Sequence, residues 1–399
     1  MIARELPPTA GLPLSWRDFA PRRPVAPLEE GLARLLGVSA VQVECSGTAS
    51  LVIALQTLKR TSVRRTVVIP AYTCPLVALA VARAGLRVRL CDTAPDAFDL
   101  DPDALCAVCD DETLCIVPTH LGGAVADLEP VLDVAARHRA YVVEDAAQAL
   151  GATWRGRPVG TIGDIGFYSL ARGKGLTLFE GGVLVAREPS LRAELARTSR
   201  EMIPTHWATE SCRLLQLAGY ALTYHPGLLR LVYGLPLRYW LARGDPARAV
   251  GDVSQVIPLH RVSDARKRIG AAALPRLEPW LRSAAERGRR RARRVSQIEG
   301  LDVVRGAPDG EATWPFLIVL FRSAAACERA LGALWRSGLG VTRLFVFDLT
   351  GYDFLEPVVP RERVPNARSF AARCLTVSNS PWVSDDDFER VVEILRKSA

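Results

Sequence analysis

Lysine is nearly absent from this 399-residue chain: Lys59, Lys174, Lys267 and Lys397 are the four among 51 basic residues, so arginine carries almost all of the positive charge. Each lysine position is therefore worth inspecting singly. No apolar run reaches the ~20 residues that a membrane span needs, and no motif recurs at a fixed period, which excludes solenoids and collagen-like arrays. After Cys106-Ala-Val-Cys109 no second cysteine pair or histidine cluster follows at ligand spacing, so no metal site is expected. Nine cysteines, an odd number, and no signal-peptide pattern point to a reducing cytoplasm. No helix-turn-helix is evident. The densest basic run, 287–294, has helical flanks and no interleaved aromatics, so it reads as a solvated helix face and no nucleic acid is expected as partner.

What remains is an ordinary globular composition, 49% apolar and 24% charged, with a net charge of +8. Between residues 41 and 186 seven short apolar runs alternate with amphipathic stretches: Val41–Cys45, Thr66–Pro70, Arg87–Asp92, Leu114–Pro118, Ala140–Glu144, Ile165–Leu170 and Gly182–Ala186. Continuous Val/Ile/Leu strands separated by helices predict an α/β fold with a mainly parallel seven-stranded sheet covered on both faces. Ligands of such sheets bind beyond the carboxyl ends of the strands. The residues just after each strand are therefore the candidates for chemistry.

After the first strand, Ser46-Gly47-Thr48-Ala49-Ser50 opens an apolar helix. This small-residue turn reads either as a plain N-cap or as a cradle of backbone N–H groups for a phosphate. The fifth strand ends in Glu144-Asp145-Ala-Ala-Gln148, carboxylates at a strand tip with an amide three residues on. The sixth leads through Ser169 to Lys174, which glycines flank on both sides. Lys59 ends a helix, Lys267 lies between arginines and Lys397 is in the tail, so Lys174 is the lysine placed to act as a nucleophile toward a carbonyl. An amine, a carboxylate, an amide, a hydroxyl and a phosphate cradle on successive strands match what pyridoxal 5′-phosphate requires.

These motifs resemble the DegT/DnrJ/EryC1/StrS family of sugar aminotransferases, fold-type I pyridoxal-phosphate enzymes. The resemblance rests on Ser46–Ser50, His120-Leu-Gly-Gly123, Glu144–Ala152, Gly163–Ser169, Lys174 with Glu180-Gly-Gly182, and Leu375–Trp382, and it spares roughly residues 195–255. It implies a fold-type I transferase with a large cofactor-binding domain at 1–255, carrying an apolar helical insert at about 195–255, and a smaller α+β C-terminal domain at 256–399. Lys174 would be the catalytic amine. Asp145 would pair with the pyridine nitrogen, Gln148 with the ring hydroxyl side, and Gly47, Thr48, Ala49 and Ser169 would hold the phosphate.

The implied reaction moves an amino group from an amino acid, with L-glutamate the expected donor, to a keto sugar, expected to be nucleotide-linked, for amino-sugar or polysaccharide synthesis. The alternatives are another pyridoxal-phosphate reaction, such as a lyase or dehydratase, or a cofactor-binding, membrane-associated protein without catalysis. Where relatives stack an aromatic residue on the ring, this chain offers Cys74, with Tyr72 two residues earlier as a substitute. Arg172 reads as a ligand for a substrate carboxylate or phosphate, or as a rim salt bridge. Leu259-His-Arg-Val-Ser263 stands where the family carries an Asn that reaches a partner subunit's phosphate, so His260 or Arg261 would take that part in the implied homodimer. Residues 211–245 mix aromatics and arginines into apolar stretches, which suits a hairpin packed on the core or a peripheral contact with a lipid surface.

Overall fold

A computed structural model of the chain describes residues 4–21, 25–252 and 255–399. All seven expected strands form one sheet: β1 (Gln42–Glu44), β2 (Thr66–Pro70), β3 (Arg87–Cys91), β4 (Thr113–Ile116), β5 (Tyr141–Asp145), β6 (Ile165–Ser169) and β7 (Gly182–Ala186). They lie in the order β1-β7-β6-β5-β4-β2-β3. β7 runs antiparallel to both neighbours, and the pairs β6–β5, β5–β4, β4–β2 and β2–β3 are parallel.

The strands read as unbroken apolar runs because both faces are covered. Val67 and Ile69 of β2 enter one apolar cluster while Val68 enters another, and in β7 Leu184 and Ala186 separate likewise from Val183 and Val185. Successive side chains of a strand point to opposite faces, so a doubly covered strand needs apolar residues at every position. Helix α1 (Gly47–Arg60) and helix α2 (Pro75–Arg83) each begin a few residues past a strand, which puts their N-termini at the strands' carboxyl edge.

A second, antiparallel sheet is built by β8 (Leu301–Val303), β9 (Phe316–Phe321), β10 (Val341–Thr342) and β11 (Cys374–Ser378), in the order β8-β9-β11-β10. The N-terminal segment reaches this layer: Leu6 lies in its apolar cluster, and Ser378 Oγ donates to the Pro7 carbonyl at 2.5 Å. Basic run 287–294, expected to be a solvated face, sits on a helix spanning Leu277–Val295. Only part of it meets water. Arg291 is 3% exposed and donates to the Val383 carbonyl at 2.5 Å, and Arg287 donates to the Asn379 carbonyl.

The insert is helical. Helix α3 (Trp207–Thr223) is followed by a short helix at Pro226–Leu229, a π-helical turn at Arg230–Gly234 and helix α4 (Leu235–Ala242). Pro236 accounts for that turn, since it brings no N–H and its ring crowds the carbonyl four residues back. No helix among the described residues is long and apolar enough to cross a membrane. One side of α3 is anchored, with Leu217 and Tyr220 buried. The other side leaves Leu215 at 74% and Leu222 at 55% exposure.

Candidate active site

Five strand tips converge on one cavity of 420 Å³, within the range of small-molecule sites. Its wall includes Gly47 and Thr48 after β1, Cys74 after β2, Thr119 after β4, Asp145 and Gln148 after β5, and Ser169 and Lys174 after β6. The parallel sheet delivers these groups together because every contributing strand points its carboxyl end at the same edge.

The turn at 46–48 is shaped by its neighbours. A Cβ on Gly182 would fall 2.3 Å from the Ser46 carbonyl oxygen, so only glycine there lets the turn seat against β7. A Cβ on Gly47 would lie 3.3 Å from the Ser169 Cβ, which places the helix start beside the Ser169 hydroxyl. Gly47 and Thr48 open α1 and have no intrahelical acceptor for their N–H groups. The Ala49 amide, expected beside them as a phosphate donor, donates instead to Ser46 Oγ at 3.0 Å, and Ala49 is fully buried.

Glu144 and Asp145, adjacent on β5, are turned to opposite faces and meet different fates. Glu144 is wholly buried and accepts from the Gly160, Ile162 and Gly163 amides, each at 2.6 Å, while His120 Nε2 lies 3.2 Å away. The Ala126 amide donates to His120 Nδ1, so Nε2 is the nitrogen that carries the proton toward Glu144. This carboxylate is saturated and structural. Among the described residues Asp145 accepts only from the Ala147 amide, through Oδ1 at 3.0 Å, which leaves its other oxygen open to a ligand. Burial pushes its pKa up to about 6, with the Ala147 N–H, Lys174 and His120 pulling the other way. A carboxyl so poised gains much from a cationic partner such as a protonated ring nitrogen.

Lys174 is half-buried, and desolvation lowers its proton affinity from the ordinary lysine value against the pull of Cys74 and Asp145. Gln148 Oε1 accepts from the Gly122 amide at 2.8 Å, which turns its NH2 group toward the cavity as a donor. Cys74 does line the cavity, as a neutral thiol whose pKa burial pushes up to about 12. Tyr72 does not substitute for a stacking ring. It is fully buried away from the cavity, where its hydroxyl donates to the Phe345 carbonyl at 3.2 Å. Likewise His260 is no free group: it is 1% exposed, with Nε2 2.9 Å from Glu210 Oε1, whereas Arg261 is exposed.

Several residues lining or supporting the cavity escaped the sequence reading. Phe345 arrives from the C-terminal part, and Arg213 of α3 forms an ion pair with Glu180 on the cavity wall. Tyr220 of α3 accepts from the Gly173 amide at 3.1 Å, next to Lys174. The one available hint was Glu180 itself, an acidic residue in a glycine-rich stretch in need of a cation.

The donor set fits pyridoxal 5′-phosphate. Two N–H groups and a hydroxyl would suit a phosphate, the second Asp145 oxygen a ring nitrogen and the Gln148 amide a ring hydroxyl, and a lysine of weakened basicity lines the same space. Fold and site together resemble the fold-type I class of pyridoxal-phosphate enzymes. Residues 21–209 match the model of the DegT/DnrJ/EryC1/StrS aminotransferase family.

Among curated relatives, GDP-perosamine synthase of Caulobacter vibrioides is 38% identical over 129 residues, which cover 32% of this chain and 35% of that protein. L-glutamine:2-deoxy-scyllo-inosose aminotransferase of Streptomyces kanamyceticus is 37% identical over 180 residues, 44% of this chain and 42% of that protein. The chain thus spans well under half of the curated relatives it matches. Among solved structures, DesI in the presence of its TDP-sugar product superposes with a TM-score of 0.74 at 21% identity, covering 100% of this chain and 93% of that one. Helicobacter pylori PseC gives 0.75 at 14% identity, with 99% of each chain covered. At such identities the superpositions speak for the fold alone.

Proposed function

We propose that this protein is a pyridoxal-phosphate aminotransferase that moves an amino group from an amino acid to the ketone of a sugar or a sugar-like ring, with L-glutamate as the donor and a nucleotide-linked sugar as the acceptor. The observation that carries this reading is the meeting of Lys174 and Asp145 in one cavity with the turn 46–48. When bound, pyridoxal 5′-phosphate supplies an aldehyde to carry the amino group and a ring to draw off electrons. The Gly47 and Thr48 amides and the Ser169 hydroxyl take its phosphate. Asp145 holds the proton on the ring nitrogen, and Gln148 donates to the ring hydroxyl. Lys174, uncharged more readily than an exposed lysine, takes a proton from the substrate carbon and returns it on the other side of the reaction.

The relatives support a ketone acceptor while differing in its kind: one is named for a GDP-linked sugar and another for an inosose with L-glutamine as donor. The family resemblance supports a homodimer, and nine unpaired cysteines support a reducing compartment such as the cytoplasm. The reading is tested by loading the protein with pyridoxal 5′-phosphate, adding L-glutamate or L-glutamine, and following the visible absorbance together with the released oxo acid. Absorbance that answers neither donor, with no oxo acid formed, removes the aminotransferase assignment in favour of another reaction on the same cofactor.

A further inference from the structure

Among the described residues, one cation of the cavity wall has no carboxylate to neutralise it. Lys174 faces Asp145, and Arg213 is paired with Glu180. Arg172, two residues before Lys174, lines the same cavity, and among the described residues no carboxylate lies within ion-pair distance of it. A rim salt bridge is therefore not its role.

The surroundings fix where that guanidinium points. Gly173, at φ 73°, donates its amide to the Tyr220 hydroxyl at 3.1 Å and accepts from Thr9 Oγ1 at 2.7 Å, so the loop is held from both sides. The guanidinium carbon of Arg172 lies 5.1 Å from the centroid of the Phe179 ring. Phe179 itself has φ 68°, a conformation costly for so bulky a residue, and its amide donates to Thr177 Oγ1 at 2.9 Å. Strain of this kind persists where the surroundings impose it, and it gathers at ligand sites. An aromatic ring under one face of a guanidinium leaves its edge N–H donors open for a planar or tetrahedral anion.

Resting on the aminotransferase reading, we propose that Arg172 forms a substrate subsite that binds an anionic group, the carboxylate of the amino donor or a phosphate carried by the acceptor. The group it takes is not the cofactor phosphate. Arg172 is exposed at the cavity mouth, whereas that phosphate has its own donors in the 46–48 turn and Ser169 at the strand tips. Insert helix α3 thereby contributes to specificity at second hand, as a positioning element for the loop, through Tyr220.

The test uses the cofactor-loaded protein with two probes, glutarate for a donor carboxylate and pyrophosphate for an acceptor phosphate, titrated calorimetrically. Arg172→Gln should weaken one of the two by about tenfold to a hundredfold, as expected for loss of a charge-assisted bidentate contact, and the affected probe names the source of the anion. Arg172→Lys should recover part of the loss. Three results overturn the proposal: no saturable binding of either probe to the unaltered protein, binding of both probes to Arg172→Gln as tight as to the unaltered protein, or a loss confined to pyridoxal 5′-phosphate affinity. A protein that binds a probe through Arg172 yet ignores every amino donor would instead count against the aminotransferase reading, so the two failures stay separate.

Discussion

The strand-tip cavity and insert helix α3 each bury a carboxylate, and they treat it in opposite ways. Glu210 on α3 is saturated. Its oxygens accept from the Ser263 amide at 2.7 Å, from Arg266 Nε at 3.0 Å and from a second Arg266 nitrogen, with His260 Nε2 at 2.9 Å. Burial works against its charge, yet the bonds from His260, Arg266 and Ser263 hold its carboxyl far below the usual range. Asp145 accepts a single amide, and burial drives its pKa the other way, up to about 6. Spent hydrogen-bonding capacity buys rigidity, while unspent capacity is held for a ligand. The same contrast separates Arg213, paired with Glu180, from Arg172, which among the described residues meets no carboxylate on the cavity wall.

The largest effect that can break this contrast belongs to Lys174. Lys174→Ala should lower single-turnover amine transfer by about 10⁴-fold or more while leaving the unfolding transition nearly unchanged, because the side chain is half-buried and makes no ion pair within 4 Å among the described residues. Stopped-flow absorbance with L-glutamate measures the first quantity and denaturant unfolding the second. A variant that transfers amine at an undiminished rate would show that the cavity is not the reacting site.

Next in size is Glu210→Ala. It leaves Arg266, which is 0% exposed, charged without its carboxylate, and removing one partner of a buried pair costs about 3–5 kcal/mol. Guanidinium unfolding should show that loss. Arg266 also donates to the Leu178 carbonyl at 3.0 Å and to the Glu180 carbonyl, so the cavity wall loosens with it. A change under about 1 kcal/mol would mean that the insert contributes little to the fold, contrary to its saturated bonding.

Asp145→Asn should have the opposite sign in the cofactor-free protein. A carboxyl whose folded pKa is raised above its unfolded value favours folding below the unfolded value and loses that contribution as pH rises through about 6. At pH 8 the charged Asp145 therefore costs about 2–3 kcal/mol, taken from the separation between about 6 and the ordinary ~3.9. The amide variant should be the more stable by a similar margin at pH 8, with the two curves converging below about pH 4. Equal stability across that pH range would mean that solvent or a cation already neutralises the carboxylate. Loaded with pyridoxal 5′-phosphate, the order should reverse, since the variant lacks the anion for the ring nitrogen.

Much of the cavity was legible in the chain because a parallel sheet turns sequence order into spatial order. Each strand places its next few residues at one edge, so Gly47, Cys74, Asp145, Gln148, Ser169 and Lys174 could be assembled without coordinates. What escaped came from outside that rule. Arg213 and Tyr220 lie on a helix whose apolar pattern says only that some face is buried, and Phe345 comes from a connection between strands of the other sheet. Ala49 and His260 were misjudged for a different reason. A hydrogen-bonding group looks available in a sequence until its partner is located, and Ser46 and Glu210 are those partners.

The smallest effects belong to the outward face of the insert, and they decide how far the contrast extends. Leu215, Leu222, Leu231 and Val232 are 74%, 55%, 56% and 54% exposed, and no aspartate or glutamate stands between Glu210 and Asp245. If that face meets only water, Leu215→Gln and Leu231→Gln should each shift the unfolding free energy by no more than about 0.5 kcal/mol. Sedimentation equilibrium and flotation on vesicles with anionic lipid should then be unaltered as well. A homodimer that seats this face against a second copy behaves otherwise. The apolar area then leaves water only on association, so each substitution should weaken the dimer and make apparent stability depend on protein concentration. Loss of flotation without loss of dimer would assign the face to a lipid surface, and with it a position for the cavity beside a membrane.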